Sequence, residues 1–175
     1  VSIDNKKYAI PISIETTALF YNKDLVKEAP KTMSDLTKMA LKKGAGSFQF
    51  NINDQYTNLG FLLTNGGYIF AEKDGKYDVN NIGLNNAGSV KGLKMLQDFV
   101  VKDKFMPADI TGDIALTNFK EGKSMFYISG PWDIQPLRDA KVNFGVSEIP
   151  SIDGKPFKAM SGVQCAFVSS KSKDK

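Results

Sequence analysis

Apolar residues recur at the three- and four-residue spacing of amphipathic helices in several parts of the chain. Most of these stretches begin at a residue that commonly caps a helix, such as Thr32, Asp54 or Asn86, and most of them end at a glycine. The pattern therefore predicts a chain rich in short helices. These helices cover residues 34–43, 55–65, 86–102, 112–121 and 131 onward.

Short apolar and β-branched runs separate the helices and predict strands. The runs lie at residues 7–14, 17–22, 47–51, 124–129, 143–148 and 165–169. Because strands alternate with helices, we predict an α/β fold in which helices flank a mixed sheet. No internal repeat and no long linker divides the chain, so a single folded unit is expected.

The composition is that of a globular protein, since 42% of the 175 residues are hydrophobic and 24% are charged. No apolar run approaches the roughly 20 residues that a membrane-spanning helix needs. The formal net charge is +4, but Arg138 is the single arginine among the basic residues. Because the lysines are scattered and the guanidinium group favoured by phosphate-binding proteins is nearly missing, nucleic-acid binding is not expected.

The chain contains no histidine and one cysteine, Cys165. This composition excludes Ser-His-Asp and Cys-His catalytic groups, an internal disulfide and the ordinary zinc sites. Glycine-rich nucleotide loops and calcium-binding loops are also missing, so no cofactor and no metal is predicted. Cys165 falls in a predicted strand and is expected to be a small buried apolar residue.

Four candidate site residues stand where the pattern predicts a strand to end, and they are Glu15, Asp54, Tyr56 and Trp132. Ligands of open α/β sheets collect at such ends. Two aromatic faces and two carboxylates suit a sugar, because a pyranose ring has an apolar face and a rim of hydroxyl donors. Structural interpretations stay open beside this one. In these interpretations Glu15 is a solvated residue at a strand break and Asp54 is a helix N-cap. The two aromatic residues are then side chains of the core or of its rim.

Several short motifs, in one order and spacing along nearly the whole chain, resemble the extracellular solute-binding proteins and in particular the maltose/maltodextrin-binding proteins. The most specific motif is Gly130-Pro131-Trp132 directly after a predicted strand. The others lie at residues 14–15, 19–25, 30–32, 50–56, 65–68, 75–78, 85–88, 119–123 and 143–146.

The resemblance implies a periplasmic-binding-protein-like fold of type II, in a receptor whose two lobes close around a linear α-glucan. Residues 1–175 would form most of the second, C-terminal lobe, with hinge strands near residues 7–14 and 162–169. The first lobe and a late segment that completes the second lobe would lie outside this sequence, so the lobe is expected to be incomplete. Apolar surface would then be exposed, and the isolated chain is expected to be less stable than the intact protein or to self-associate.

The resemblance also implies roles for the candidate residues. Tyr56 and Trp132 align with aromatic residues that stack on sugar, and Glu15 aligns with an acceptor of sugar hydroxyl groups. Asp54 aligns with a glutamate of the family and is one methylene shorter. Ile10 stands where well-known members carry a tyrosine, which removes one possible contact.

The implied function is the substrate-binding component of an ABC importer, which delivers maltose or maltodextrin to the permease subunits without catalysis. The implied location is the outer face of the cytoplasmic membrane, as a lipoprotein of a Gram-positive cell, or a periplasm, with any membrane anchor outside this sequence. Two alternatives stay open. One is a receptor for a different oligosaccharide, and the other is a glycoside hydrolase that uses Glu15 and Asp54 as its carboxylate pair.

Overall fold

The structure is a computed structural model that describes residues 2–3 and 6–173. Its strands are β1 (Ser2–Ile3), β2 (Lys6–Lys7), β3 (Ile10–Thr16), β4 (Ala18–Asn22), β5 (Phe48–Gln49), β6 (Tyr68–Lys73), β7 (Lys76–Gly83), β8 (Phe126–Ser129), β9 (Phe144–Ser147) and β10 (Ser161–Ala166). Its helices are α1 (Met33–Lys43), α2 (Gln55–Thr64), α3 (Ala87–Val101), α4 (Gly112–Lys120) and α5 (Ile134–Asp139), and a 3-10 turn at Pro131–Asp133 precedes α5. Within the described residues, no helix has the length and apolar character needed to cross a membrane.

A four-stranded sheet in the order β5-β8-β4-β9 lies at the centre of the fold. β4 pairs antiparallel with β8 and β9, whereas β5 runs parallel to β8, so the sheet is mixed. All four residues of β8 are buried, as expected for an inner strand covered on both faces. Leu36, Phe61 and Phe119 of the helices belong to the same buried cluster as the strand residues. The predicted α/β fold, with helices flanking a mixed sheet, is confirmed.

Phenylalanine side chains fill much of the core. Phe50 and Phe61 stack with their ring centroids 5.7 Å apart, and Phe48 meets Phe99 edge to face at 5.4 Å. Burying one such side chain contributes about 1.5–3 kcal/mol to folding. The fully buried phenylalanines are Phe20, Phe48, Phe50, Phe61, Phe105, Phe119 and Phe126.

Helices α2 and α3 approach each other closely because Gly92 leaves room on α3. A Cβ atom at Gly92 would lie 2.7 Å from the carbonyl oxygen of Phe61 and 2.8 Å from Cα of Leu62. These neighbours are backbone atoms of α2, so they cannot move aside as the end of a flexible side chain can. Gly92 therefore sets the distance between the two helices.

Side-chain caps start four of the helices, as the sequence indicated. In each case a side-chain oxygen accepts a hydrogen bond from a backbone N–H in the first turn, which satisfies one of the free donors there. The end of α1 is also as predicted, since Gly44 follows the helix with φ +103°. The capping residues are Thr32, Asp54, Asn86 and Thr111.

Strand β3 continues through Glu15, so the prediction that Glu15 stands at a strand break was wrong. Glu15 lies opposite Gly162 of β10 in an antiparallel ribbon. This pairing extends the strand because β10 supplies hydrogen-bond partners for its backbone. The break falls instead at Thr17, which is buried.

The ends of the two predicted hinge strands also differ from the structure. The run predicted at residues 7–14 is divided between β2 and β3, and the strand predicted at residues 165–169 is β10, which begins and ends earlier. Cys165 lies within β10 but is half-buried rather than buried. Strand β10 belongs to a two-stranded ribbon outside the four-stranded sheet, so fewer neighbouring elements shield its side chains from solvent than in a core strand.

The hairpin formed by β6 and β7 was not predicted. Its turn is Asp74-Gly75, and both residues have positive φ, at 54° and 74°. An Asp-Gly pair between two strand-forming runs is a strong hairpin signal, because both central positions of the favoured turn need positive φ. The Asp-Gly pair alone would therefore have been enough to predict the hairpin from the sequence.

Candidate functional site

Trp132 stands on the turn that leaves the buried strand β8. Gly130 continues the chain in an extended conformation, and Pro131 opens the 3-10 turn that carries the indole. A Cβ atom at residue 130 would lie 2.3 Å from Cη2 and Cζ3 of Trp132. Only glycine therefore allows the ring to lie against the backbone here. The side chain of Trp132 remains 49% exposed, so a broad apolar face is available to a ligand.

Tyr56 lies beside Trp132, in the first turn of α2. The two ring centroids are 6.4 Å apart, and the ring planes meet at 55°. The Tyr56 hydroxyl donates a hydrogen bond to the backbone oxygen of Glu15 at 3.0 Å. The ring is therefore tethered at its far end to β3. We call Tyr56 and Trp132 together the aromatic platform.

Glu15 joins the platform through this hydrogen bond. Its Oε1 accepts a hydrogen bond from Nε2 of Gln164 on the paired strand at 3.2 Å. Gly162 lies close to both side chains, because a Cβ atom there would lie 3.3 Å from the Tyr56 hydroxyl and 3.5 Å from Cγ of Glu15. The half-buried Glu15 thus stands where the β3–β10 ribbon meets the platform.

Asp54 caps α2, which confirms its structural interpretation. Its Oδ1 accepts a hydrogen bond from the backbone N–H of Tyr56 at 3.1 Å, and its Oδ2 accepts one from the Thr57 hydroxyl at 3.2 Å. Both carboxylate oxygens are therefore engaged in starting the helix that carries Tyr56. Asp54 also lines a cavity of about 190 Å³ together with Trp132. The structure thus brings Asp54 and Trp132 to one cavity.

Two further carboxylates line the same cavity, and the sequence interpretation missed both. They are Asp113, near the start of α4, and Asp133, directly after Trp132. Asp133 is buried and accepts hydrogen bonds from the hydroxyls of Tyr127 and Ser129. Burial, followed by the hydrogen bond to Asp133, raises the pKa of Tyr127 above its ordinary value. The position of Asp133 beside Gly-Pro-Trp was the one sequence signal that pointed to it.

The arrangement provides an aromatic wall with acceptor groups around it. The cavity of about 190 Å³ is smaller than the roughly 300–1,000 Å³ of a complete small-molecule site. Two larger grooves, of about 800 and 830 Å³, include none of the four predicted residues in their linings. Each oxygen of Asp54 accepts one hydrogen bond at the start of α2 and keeps a further lone pair that could accept from a sugar hydroxyl.

Comparisons with known proteins agree with this interpretation. Residues 1–175 match the family described as bacterial extracellular solute-binding protein. A galactooligosaccharide-binding protein of Bacillus subtilis is 38% identical over 98% of this chain and 43% of its own. A maltooligosaccharide ABC transporter solute-binding lipoprotein of Streptococcus pneumoniae is 37% identical over 91% of this chain and 40% of its own.

A solved structure shows the same fold. The maltose-maltodextrin binding protein of Alicyclobacillus acidocaldarius superposes with a TM-score of 0.91 at 34% identity, over 99% of this chain and 47% of that one. The present chain thus spans less than half the length of these relatives.

Proposed function

The chain belongs to the bacterial extracellular solute-binding protein family, whose members bind solutes without catalysis, and on this premise we propose that it is part of the oligosaccharide-binding component of an ABC importer. The observation that carries the proposal is the aromatic platform of Tyr56 and Trp132 at the edge of an acceptor-lined cavity. This is the geometry that a pyranose ring needs, with an apolar face to stack and hydroxyls to donate.

Residues 1–175 are proposed to form most of the second lobe of a two-lobed receptor. Two observations support this assignment: the match to less than half of each relative, and a cavity smaller than a complete small-molecule site. The β3–β10 ribbon contains residues 10–14 and 162–166 of the hinge strands predicted near residues 7–14 and 162–169, and it is proposed to be the crossing between lobes. It meets the platform at Glu15, so closure of the lobes and contact with sugar would involve the same strand.

The proposed ligand is maltose or a maltodextrin, bound by Trp132 and Tyr56 as stacking faces and by Glu15 and Asp54 as acceptors. The names of several relatives support a linear α-glucan. A galactooligosaccharide is the second candidate, because the Bacillus subtilis relative with 38% identity is named a galactooligosaccharide-binding protein. Acceptor groups bind the hydroxyls of either sugar, so the angle at which successive rings meet the platform is proposed to decide between them.

The partners and the location follow from the same proposal. The permease subunits of an ABC importer would receive the sugar outside the cytoplasmic membrane. A lipid anchor would hold the receptor at the membrane, as the name of the pneumococcal lipoprotein suggests. No role for nucleic acid is proposed.

Calorimetric titration of maltotriose and of a β-1,4-linked galactotriose into the two-lobed receptor that contains this chain tests the proposal. Trp132→Ala is expected to weaken binding of the preferred sugar at least tenfold, since it removes the exposed stacking face. Tyr77→Ala is the matched control, because it removes an aromatic side chain that is 70% exposed on the β6–β7 hairpin. Equal affinity in wild type and Trp132→Ala would contradict the proposed site, and release of shorter sugars would contradict a receptor.

A further inference from the structure

A buried carboxylate stands immediately after the exposed indole of Trp132. Asp133 is only 9% exposed, and its Oδ2 accepts hydrogen bonds from the Tyr127 hydroxyl at 2.6 Å and from Ser129 Oγ at 2.5 Å. Both donors belong to β8, the strand from which the turn emerges. The carboxylate therefore ties the turn that carries Trp132 back to the rigid centre of the sheet.

This carboxylate is a costly choice for the position. Neutral hydroxyls are its side-chain partners, and no ion pair in the described part of the chain includes Asp133. Burying a carboxylate without a cation is unfavourable, and its hydrogen bonds to two buried hydroxyls offset part of that cost. The backbone N–H of Asp133 already closes the turn by donating to the Gly130 oxygen at 3.2 Å. The side chain of Asp133 therefore adds a second link between this turn and β8.

We propose that Asp133 is a positioning residue that holds the indole of Trp132 in the orientation that completes the aromatic platform. The inference deepens the proposed function and rests on it. Trp132 is held on one side by Gly130, whose missing Cβ leaves the space that the ring occupies, and on the other side by the hydrogen bonds of Asp133. With both neighbours fixed, the indole faces Tyr56 before any sugar arrives.

Preorganisation of this kind has a measurable consequence for affinity. If the turn loosens, the indole spends only a fraction of its time in the competent orientation, and the apparent dissociation constant rises by the inverse of that fraction. Asp133→Asn keeps the shape of the side chain but replaces charge-assisted hydrogen bonds with neutral ones, which are about half as strong. Sugar binding is then expected to weaken about three- to tenfold, which corresponds to a competent fraction of roughly 10–30%.

The first arm of the test needs no sugar. Trp132 is the single tryptophan of the chain, so the anisotropy of its fluorescence and its quenching by acrylamide report on this turn alone. Asp133→Asn is expected to lower the anisotropy and raise the quenching constant while the far-ultraviolet circular dichroism stays unchanged. Asp139→Asn is the matched control, because it makes the same charge change on the exposed part of α5. Ile149→Val controls for general destabilisation, since it removes one buried methylene elsewhere in the core.

The second arm is a titration of maltotriose and of a galactotriose into the wild type and the same variants. Wild-type values of anisotropy and quenching in a folded Asp133→Asn variant would overturn the positioning role, and so would changes of equal size in Ile149→Val. A change in the Trp132 signal confined to Asp133→Asn, with no binding of maltotriose or of a galactotriose by the wild type or any variant, would keep the positioning role and remove the proposed function. Sugar binding of wild-type strength in Asp133→Asn would overturn the positioning role and leave the proposed function intact.

Two further variants keep the test decisive if Asp133→Asn does not fold. Tyr127→Phe and Ser129→Ala each remove one donor to the same carboxylate oxygen and keep the carboxylate itself. Each is expected to change the Trp132 signal in the same direction as Asp133→Asn, by a smaller amount. Wild-type signals in both would overturn the proposal.

Discussion

Replacing Gly92 with alanine is expected to destabilise the chain, although alanine is the better helix former. In an open helix the substitution would stabilise by about 1 kcal/mol. At this position the new Cβ atom would lie 2.7 Å from the Phe61 oxygen and 2.8 Å from Cα of Leu62, well inside van der Waals contact. Forcing extra atoms into a well-packed interface costs typically about 1–3 kcal/mol, and fixed backbone neighbours place this case in the upper part of that range. The net loss is therefore about 1–2 kcal/mol.

Thermal unfolding followed by circular dichroism measures this loss directly. For a chain of this size, about 1 kcal/mol shifts the midpoint by roughly 2–4 °C, so Gly92→Ala should unfold about 2–8 °C lower than the wild type. Gly112→Ala is the control, because its Cβ would have only Asn51 Cβ nearby, at 4.0 Å, and φ is not positive. It should be neutral or stabilise by up to about 1 kcal/mol. A Gly92→Ala variant as stable as the wild type would show that Gly92 does not set the distance between α2 and α3.

Three other predictions follow from the same geometry. Gly130→Ala should displace the indole of Trp132, because the new Cβ would meet the ring at 2.3 Å, and a shifted emission maximum in a folded variant would show it. The free energy of unfolding should fall as pH rises above about 10. Burial and the hydrogen bond to Asp133 raise the pKa of Tyr127, so in this pH range the folded state keeps a proton that the unfolded state releases. Urea titrations should show a smaller fall in Tyr127→Phe, and equal slopes would contradict this assignment. The isolated chain should self-associate through the β3 face that carries Ile12, which is 72% exposed, and sedimentation velocity should detect less association in Ile12→Lys. A wild-type chain that stays monomeric at high concentration would count against this face.

Local signals in the sequence predicted much of the fold. Asp54 and Asn86 cap the helices that were predicted to start at them, because capping depends only on the residues of the first turn. The Gly130–Trp132 motif indicated the platform for a similar reason, since a turn at a strand end is a local feature. The Asp74-Gly75 turn was equally local and was overlooked.

Other features depended on contacts between distant residues. The strand that contains Glu15 extends because Gly162 pairs with it from far along the chain, and no nearby residue indicates that pairing. The hydrogen bond from Tyr56 to the backbone of Glu15 joins a helix to the ribbon in the same way. Asp133 looks like an ordinary acidic residue until Tyr127 and Ser129 are brought beside it. Burial and long-range pairing are therefore what the sequence pattern could not supply.

Fluorescence of Trp132 during a maltotriose titration is the most direct test of the central claim that this surface binds a sugar. The indole is 49% exposed, so a sugar that stacks on the platform must change its emission, and the difference between the wild type and Trp132→Phe isolates this signal in the two-lobed receptor. We expect a saturable change with maltotriose or with a β-galactotriose, and none with a non-ligand such as sucrose. An unchanged emission in a two-lobed receptor that binds the sugar by calorimetry would contradict the claim that Trp132 lies in the site.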